Sequence, residues 1–151
     1  MAQDKREAIL VRLEAVLTAL AGDTGIKVWR DRAEFELNEL PAYVLLDGTE
    51  TKAANSSDHR GPQIMLLQPQ MFYVPVPTEN ALNIGVGPDL SGMRVAMIRS
   101  VMQDGQIRDL LGDNGYVEYR GMETDMQTGA EVKGQFRMDF AFAYVLNFNK
   151  L

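Results

Sequence analysis

The residues best equipped for chemistry are Ser57, Asp58 and His59 in "SSDHRGP", which between them carry the three side-chain types of a hydrolytic triad. A triad needs nucleophile, base and orienting carboxylate held in line by separate elements. Three consecutive residues of a polar loop do not provide that, and the stretch reads as a solvated loop. His59 is the sole histidine and there is no cysteine, so a thiolate nucleophile, a disulfide and a cysteine-ligated zinc site are all excluded. Glu34, Glu36 and Glu39 could offer hard oxygen ligands to a cation, but EF-hand spacing is missing and a charge run is ordinarily a solvated face. Gly85-x-Gly87 lacks the third glycine of a dinucleotide turn and the Gly-Lys of a phosphate loop. Met93, Met97 and Met102 suit core filling. Neither a catalytic nor a cofactor site emerges, and the expectation is a protein that is not an enzyme.

The elements around these residues are easier to read. From Asp4 to Leu20 the apolar positions Ile9, Leu13, Val16, Leu17 and Leu20 form one helical stripe. Asp4 and Glu7 make a capping-box-like start, and Gly22 and Gly25 an end. Ile26 to Asp31 is a short strand containing the only tryptophan, Trp29. Ala42 to Asp47 is a buried strand, with Asp47-Gly48 turning the chain. Thr49 to Pro62 is polar enough to be a mobile loop, and Lys52, Asp58, His59 and Arg60 are its candidate assembly residues. Gln63 to Pro77 is strand-like, but Pro69, Pro75 and Pro77 share one parity, which marks an edge strand or a break at Pro69. Pro88 to Gln103 is a second helix, Asp104 to Leu111 a short third, and Val117 to Thr124 a strand with room for a kink at Gly121. The order α-β-β-β-α-α-β-β does not alternate strictly. It fits one α+β domain over residues 1–151, an antiparallel or mixed sheet with helices packed on one face.

Of 151 residues, 46% are apolar and 24% charged, the proportions of a globular domain large enough to bury a core. No stretch approaches the roughly 18 apolar residues of a membrane span. "MAQDKREAIL" lacks the pattern of a secretion signal, so a soluble protein made in the cytoplasm is expected. The net charge of −6 argues against gripping nucleic acid by its phosphates. Residues 31–58 carry −5 of it, with Arg32 and Lys52 the only bases in that window.

The last strong signal is "FRMDFAFAYVLNF", residues 136–148, where Phe136, Met138, Phe140, Phe142, Tyr144, Leu146 and Phe148 alternate with mixed residues. Strict alternation predicts a strand with one apolar face. Extended, it spans about 43 Å, against about 38 Å for the diameter of a compact domain of this size. A strand that overhangs its own core needs cover, and a neighbouring copy is the simplest cover. On this argument Phe136, Met138, Phe140, Phe142 and Tyr144 are candidate subunit-interface residues.

Taken in order, "REAILVRLEAVLTAL", "VWRDRAEFELNELPAYVLLDGTE", "RGPQIMLLQPQMFYVPV", "MRVAMIRSVMQDGQIRDLLGDNGYVEYRGMETD" and "GQFRMDFAFAYVLN" resemble the tail-terminator (minor tail protein U-like) family of long-tailed bacteriophages and prophage-derived tails. "LPAYVLLDG" and "MDFAFAYVLN" carry most of the likeness. The resemblance implies an α+β subunit that forms a ring with copies of itself, commonly hexameric. That ring caps the tail tube in the virion tail, stops its polymerisation and receives the head-completion or neck protein. It implies no cofactor, no membrane, and DNA only in passage. It transfers no functional residue.

Within that expectation Glu34, Glu36 and Glu39 are candidates for the lumen or the tube-docking face, where negative charge would repel DNA phosphates. Two rivals stand beside it. One is another neck, tail-completion or tube-like subunit. The other is a small cytosolic ligand-binding domain with Trp29, Tyr73 and Tyr119 lining a pocket between sheet and helices.

Overall fold

The structure is a computed structural model that describes residues 4–32, 34–53, 61–75, 86–125 and 135–147. Ser57, Asp58, His59 and Arg60 lie outside the described residues, as do Gly85 and Phe148.

Helix α1 (Lys5–Ala21) is capped by Asp4, whose carboxylate accepts from the Glu7 backbone N–H. Its stripe of Ile9, Leu10, Leu13, Val16 and Leu17 is buried. Strands β1 (Lys27–Arg30), β2 (Ala42–Lys52) and β3 (Gln63–Val74) follow, then helices α2 (Val86–Met102) and α3 (Gly105–Leu111), then strands β4 (Tyr116–Asp125) and β5 (Gln135–Leu146). Asp104 caps α3 by accepting from the Ile107 N–H, and Gly112 ends it at a φ of 75°. A 3₁₀ turn, Leu37–Glu39, sits in the β1–β2 connector.

The strands form one mixed sheet in the order β1-β2-β3-β5-β4, parallel between β1 and β2 and antiparallel elsewhere. Its cross-strand registers put Tyr43, Tyr73 and Phe136 in line on one face, with rings 5.8 and 5.7 Å apart. That face carries Leu45, Leu67, Met71, Met138, Phe140, Phe142 and Tyr144 into a single core with α1, Met97 and Val101 of α2, and Ile107 and Leu111 of α3. All three helices therefore lie on one face, and the architecture is α+β.

Three expectations need correction. First, the apolar alternation of β5 faces this chain's own helices: Phe136, Met138, Phe140, Phe142 and Tyr144 are each at most 1% exposed. Among the described residues no overhang exists, because β2, β3 and β4 match or nearly match β5 in length and the sheet is long as a whole. Those five residues do not form a subunit interface, and the argument that a neighbour must shelter them falls.

Second, of the two alternatives at Pro69 the edge strand fails, because β3 is central, while the break appears as an interruption of both its ladders. Pro69 sits where its missing N–H is tolerated. On one side the β2 register shifts by one residue between Leu46 and Thr49. On the other, the ladder to β5 is interrupted between Leu67–Phe142 and Gln70–Asp139. A bulge leaves its extra residue unpaired, so no donor is demanded at that level.

Third, Gly48 does not turn the chain but forms this bulge at a φ of 70°, and β2 continues through Thr49 to an exposed Lys52. The expected loop therefore does not start at Thr49, and Lys52 is a strand end rather than a loop residue. A second bulge between Tyr119 and Gly121 in β4 falls at the same level of the sheet. Each bulge exchanges odd for even positions. Tyr119 and Met122 thus both pack on the core, as does Leu45, and beyond Gly48 the half-buried Glu50 stands on the same face opposite Leu67.

Candidate assembly surfaces

The charges that dominate the sequence are first of all structural. Arg30 forks onto both oxygens of Glu7, at 2.8 Å each, and onto both oxygens of Asp47, at 2.8 and 3.0 Å. This joins α1, β1 and β2. The side-chain hydrogen bonds from Arg30 hold the Glu7 and Asp47 carboxyls below the usual carboxylate range, and Arg6 stands 3.5 Å from Asp47. Asp31, with a φ of 56°, accepts from the Asp47 N–H and closes the corner. Arg30 lies one position outside the acidic window, so the apparent excess there was overstated: Asp47 is neutralised in place. Glu7 spends its carboxylate on Arg30 instead of reaching back to complete a capping box.

Glu39 is equally committed. Arg32 pairs with both its oxygens, and the Trp29 indole N–H donates to its carbonyl at 3.1 Å. The Arg32 guanidinium lies over Trp29 at 4.6 Å and Phe35 at 5.3 Å. Hydrogen bonding to Arg32 draws the Glu39 carboxyl below its ordinary range. Glu39 is thus not available to a lumen or a cation, and among the described residues no group of His, Cys, Asp or Glu is arranged to hold a metal ion. Glu34 and Glu36 are exposed and form no salt bridge with a described residue. Between Glu36 and Asn38 stands Leu37, which is 68% exposed.

This clamp covers part of the second sheet face. Trp29, Phe35, Leu40, Ala42, Val44, Leu46, Phe72 and Val74 form a small apolar cluster there. No helix among the described residues covers the rest of that face. At its far end Ile64 pairs with Val145, and Leu66 and Tyr116 flank Ala143. Ile64 is 38% and Tyr116 51% exposed. Between the two apolar ends runs a charged belt, in which Arg137 reaches Glu123 at 3.2 Å and Asp139 at 3.3 Å. Where the bulges cross the sheet, Thr49, Gln68, Gln70, Asp139 and Arg120 line a hollow of about 270 Å³.

On the helical side, α1 meets the end of α2 in a wider groove of about 470 Å³, with Val16, Ala19 and Leu20 on one wall and Arg99, Ser100 and Gln103 on the other. Arg12 and Asp104 close one end through a two-pronged pair at 2.7 and 3.0 Å. Arg99 is exposed and its guanidinium has no partner among the described residues.

The three aromatics offered for the small-domain rival's pocket are not brought together. Tyr73 and Tyr119 pack against the helical core, whereas Trp29 belongs to the cluster on the opposite face. Sequence reasoning missed the groove and the exposed Leu37. The only signal for Leu37 was a leucine set among acids in "EFELNE". No helix among the described residues is long and apolar enough to cross a membrane. No family model matches this chain, and no curated protein matches it.

Proposed function

We propose that this chain is a structural subunit of a phage or prophage tail, a terminator that closes into a ring on the tail tube, halts its growth and presents the surface to which head-completion or neck protein attaches. The observation that carries this reading is the half-covered sheet. One face is sealed by helices, while the other exposes Ile64 and Tyr116 beside Leu66 and Val145, next to a belt of paired charges. An apolar patch rimmed by charge suits a broad protein surface better than a small substrate. The α+β fold is the one the resemblance implies. The reading no longer draws on β5, whose apolar side is internal.

Solution mass and electron microscopy of the protein, alone and with the tail-tube protein of the same tail, test the proposal. A closed ring that caps tubes of finite length is expected. Open-ended polymers would assign the chain to the tube instead. A chain that neither forms a ring nor touches the tube would end the tail reading.

A further inference from the structure

We infer that the acidic turn around Leu37 is a plug that seats in the α1–α2 groove of a second copy of this chain. The inference rests on the ring reading and supplies the contact between neighbours that such a ring would use.

Leu37 is the most exposed of the large apolar side chains among the described residues, at 68%. It is not loose. The turn bearing it is fixed from behind by the Arg32–Glu39 pair, by the Trp29 N–H on the Glu39 carbonyl, and by the Arg32 stack on Trp29 and Phe35. An apolar side chain already held in one position gives up little freedom when it docks. Exposing it costs the free subunit apolar hydration, which burial in a partner would recover.

The groove has the matching character. Val16, Ala19 and Leu20 offer an apolar wall, and the opposite wall carries Arg99, a cation without a partner among the described residues. Glu34 and Glu36, both on the N-terminal side of Leu37, carry exposed carboxylates that form no salt bridge among the described residues, with Glu36 also in the field of Arg32. Leucine would meet the apolar wall while the acids meet Arg99, so charge fixes the direction of docking and burial of Leu37 adds affinity. Arg12 is already occupied by Asp104 and serves as the end wall.

Plug and groove belong to opposite layers. The plug is anchored in the cluster on the face that no described helix covers, and the groove lies between helices on the other. A contact between two different patches is head-to-tail, the kind that closes into a ring when the rotation per step allows. It also places Glu34 and Glu36 between copies rather than in a lumen.

Sedimentation velocity across a concentration series tests this on four proteins: the unaltered chain, Leu37→Asp, Glu34→Arg/Glu36→Arg and Arg99→Glu. Leu37→Asp should weaken self-association by about tenfold or more. The two charge-reversed proteins should each associate poorly alone, through like-charge contacts. Mixed in equal amounts they should associate again, because each then offers the other an opposite charge at both plug and groove. Folding of each variant is checked by its thermal transition, and the regained assembly of the mixture cannot come from unfolded chains. Variants that associate like the unaltered protein, a mixture that stays apart, or an unaltered chain that is monomeric at every concentration would each overturn the inference. Rings that form on the tube equally well from all four proteins would leave the terminator reading standing and remove only this contact. Loss of tube binding with self-association intact would mean that the groove receives the tube protein, and would overturn it as well.

Discussion

A Cβ at Gly48 would lie 1.9 Å from the Gln68 carbonyl oxygen and 2.9 Å from the Pro69 Cα. The two strands approach that closely because Pro69 withholds a donor and the bulge at Gly48, with its positive φ, takes up the mismatch. Gly48→Ala should cost about 3 kcal/mol or more, since both the clash and the backbone angle oppose it and no side chain can move aside. Gly121→Ala is the control. Gly121 has a φ of 138° but nothing within 4 Å of a new Cβ, so only the strain remains, about 1–2 kcal/mol. Urea denaturation of the two variants should separate them clearly. Equal losses would mean that the close approach at Gly48 is not a constraint.

Phe142 distinguishes core from interface. It is fully buried beside Phe140, with ring centroids 6.2 Å apart. Phe142→Ala should destabilise the isolated subunit by about 3–5 kcal/mol through lost burial and the cavity left behind. An interface residue would instead leave the monomer's stability intact and weaken association. Denaturation at a concentration where the chain is monomeric decides between these outcomes.

The helices and the alternation of β5 were legible because burial of a stripe or a face leaves a period in the sequence. The layer that β5 faces was not legible, since a period states that a face is buried and not by what. Pro69 rightly marked a break but wrongly allowed an edge, because a proline's cost depends on its partner strands, here a bulge whose only local sign is a glycine. Glu39 read as a candidate lumen acid, and Asp47 as part of an unopposed excess, because the pairings that commit them, to Arg32 and Arg30, are made by a connector and by parallel pairing of β1 with β2. A window count of charge cannot represent either. Plug and groove are spatial features with no periodic signature.

Arg32 should report through Trp29. Arg32→Ala removes the stacked guanidinium at 4.6 Å and the ion pair that fixes the turn. The emission of the only tryptophan should shift to longer wavelength as water reaches the indole. The same variant should loosen self-association by mobilising Leu37 while leaving the thermal midpoint within a few degrees. An unchanged emission maximum would show that the clamp does not shape the surroundings of Trp29.

Glu50 works in the opposite sense to the other shifted acids. Burial raises its carboxyl above the ordinary range, with Asp4 adding to the rise and Arg6 opposing it. The folded state therefore binds its proton more tightly than the unfolded state does. Its contribution favours folding at low pH and is lost as pH rises through the folded value. Glu50→Gln should stabilise the protein at pH 7, by under about 1 kcal/mol because the group is partly solvated. The gain should vanish in acid. A gain of the same size at both ends of the pH range would point to packing rather than ionisation.

Arg30 sets the acid limit together with Arg12 and Arg32. Its hydrogen bonds depress Glu7 and Asp47, and Arg12 does the same for Asp104. A carboxyl depressed in the folded state binds fewer protons there than when unfolded. It contributes stability that is complete above the ordinary carboxylate range and is lost as pH falls toward the depressed folded values. Arg30→Leu keeps the apolar stem but leaves Asp47 with Arg6 alone. At pH 7 the loss should be about 2 kcal/mol, nearly all from Asp47, because the Glu7 side chain is 47% exposed and solvent screens it. Below the folded values Arg30 no longer faces ionised partners, so the stability curves of variant and parent should converge in acid. Denaturation midpoints at a series of pH values test this directly, and curves that run parallel down to the acid transition would show that the Arg30 fork does not carry the acid sensitivity of the fold.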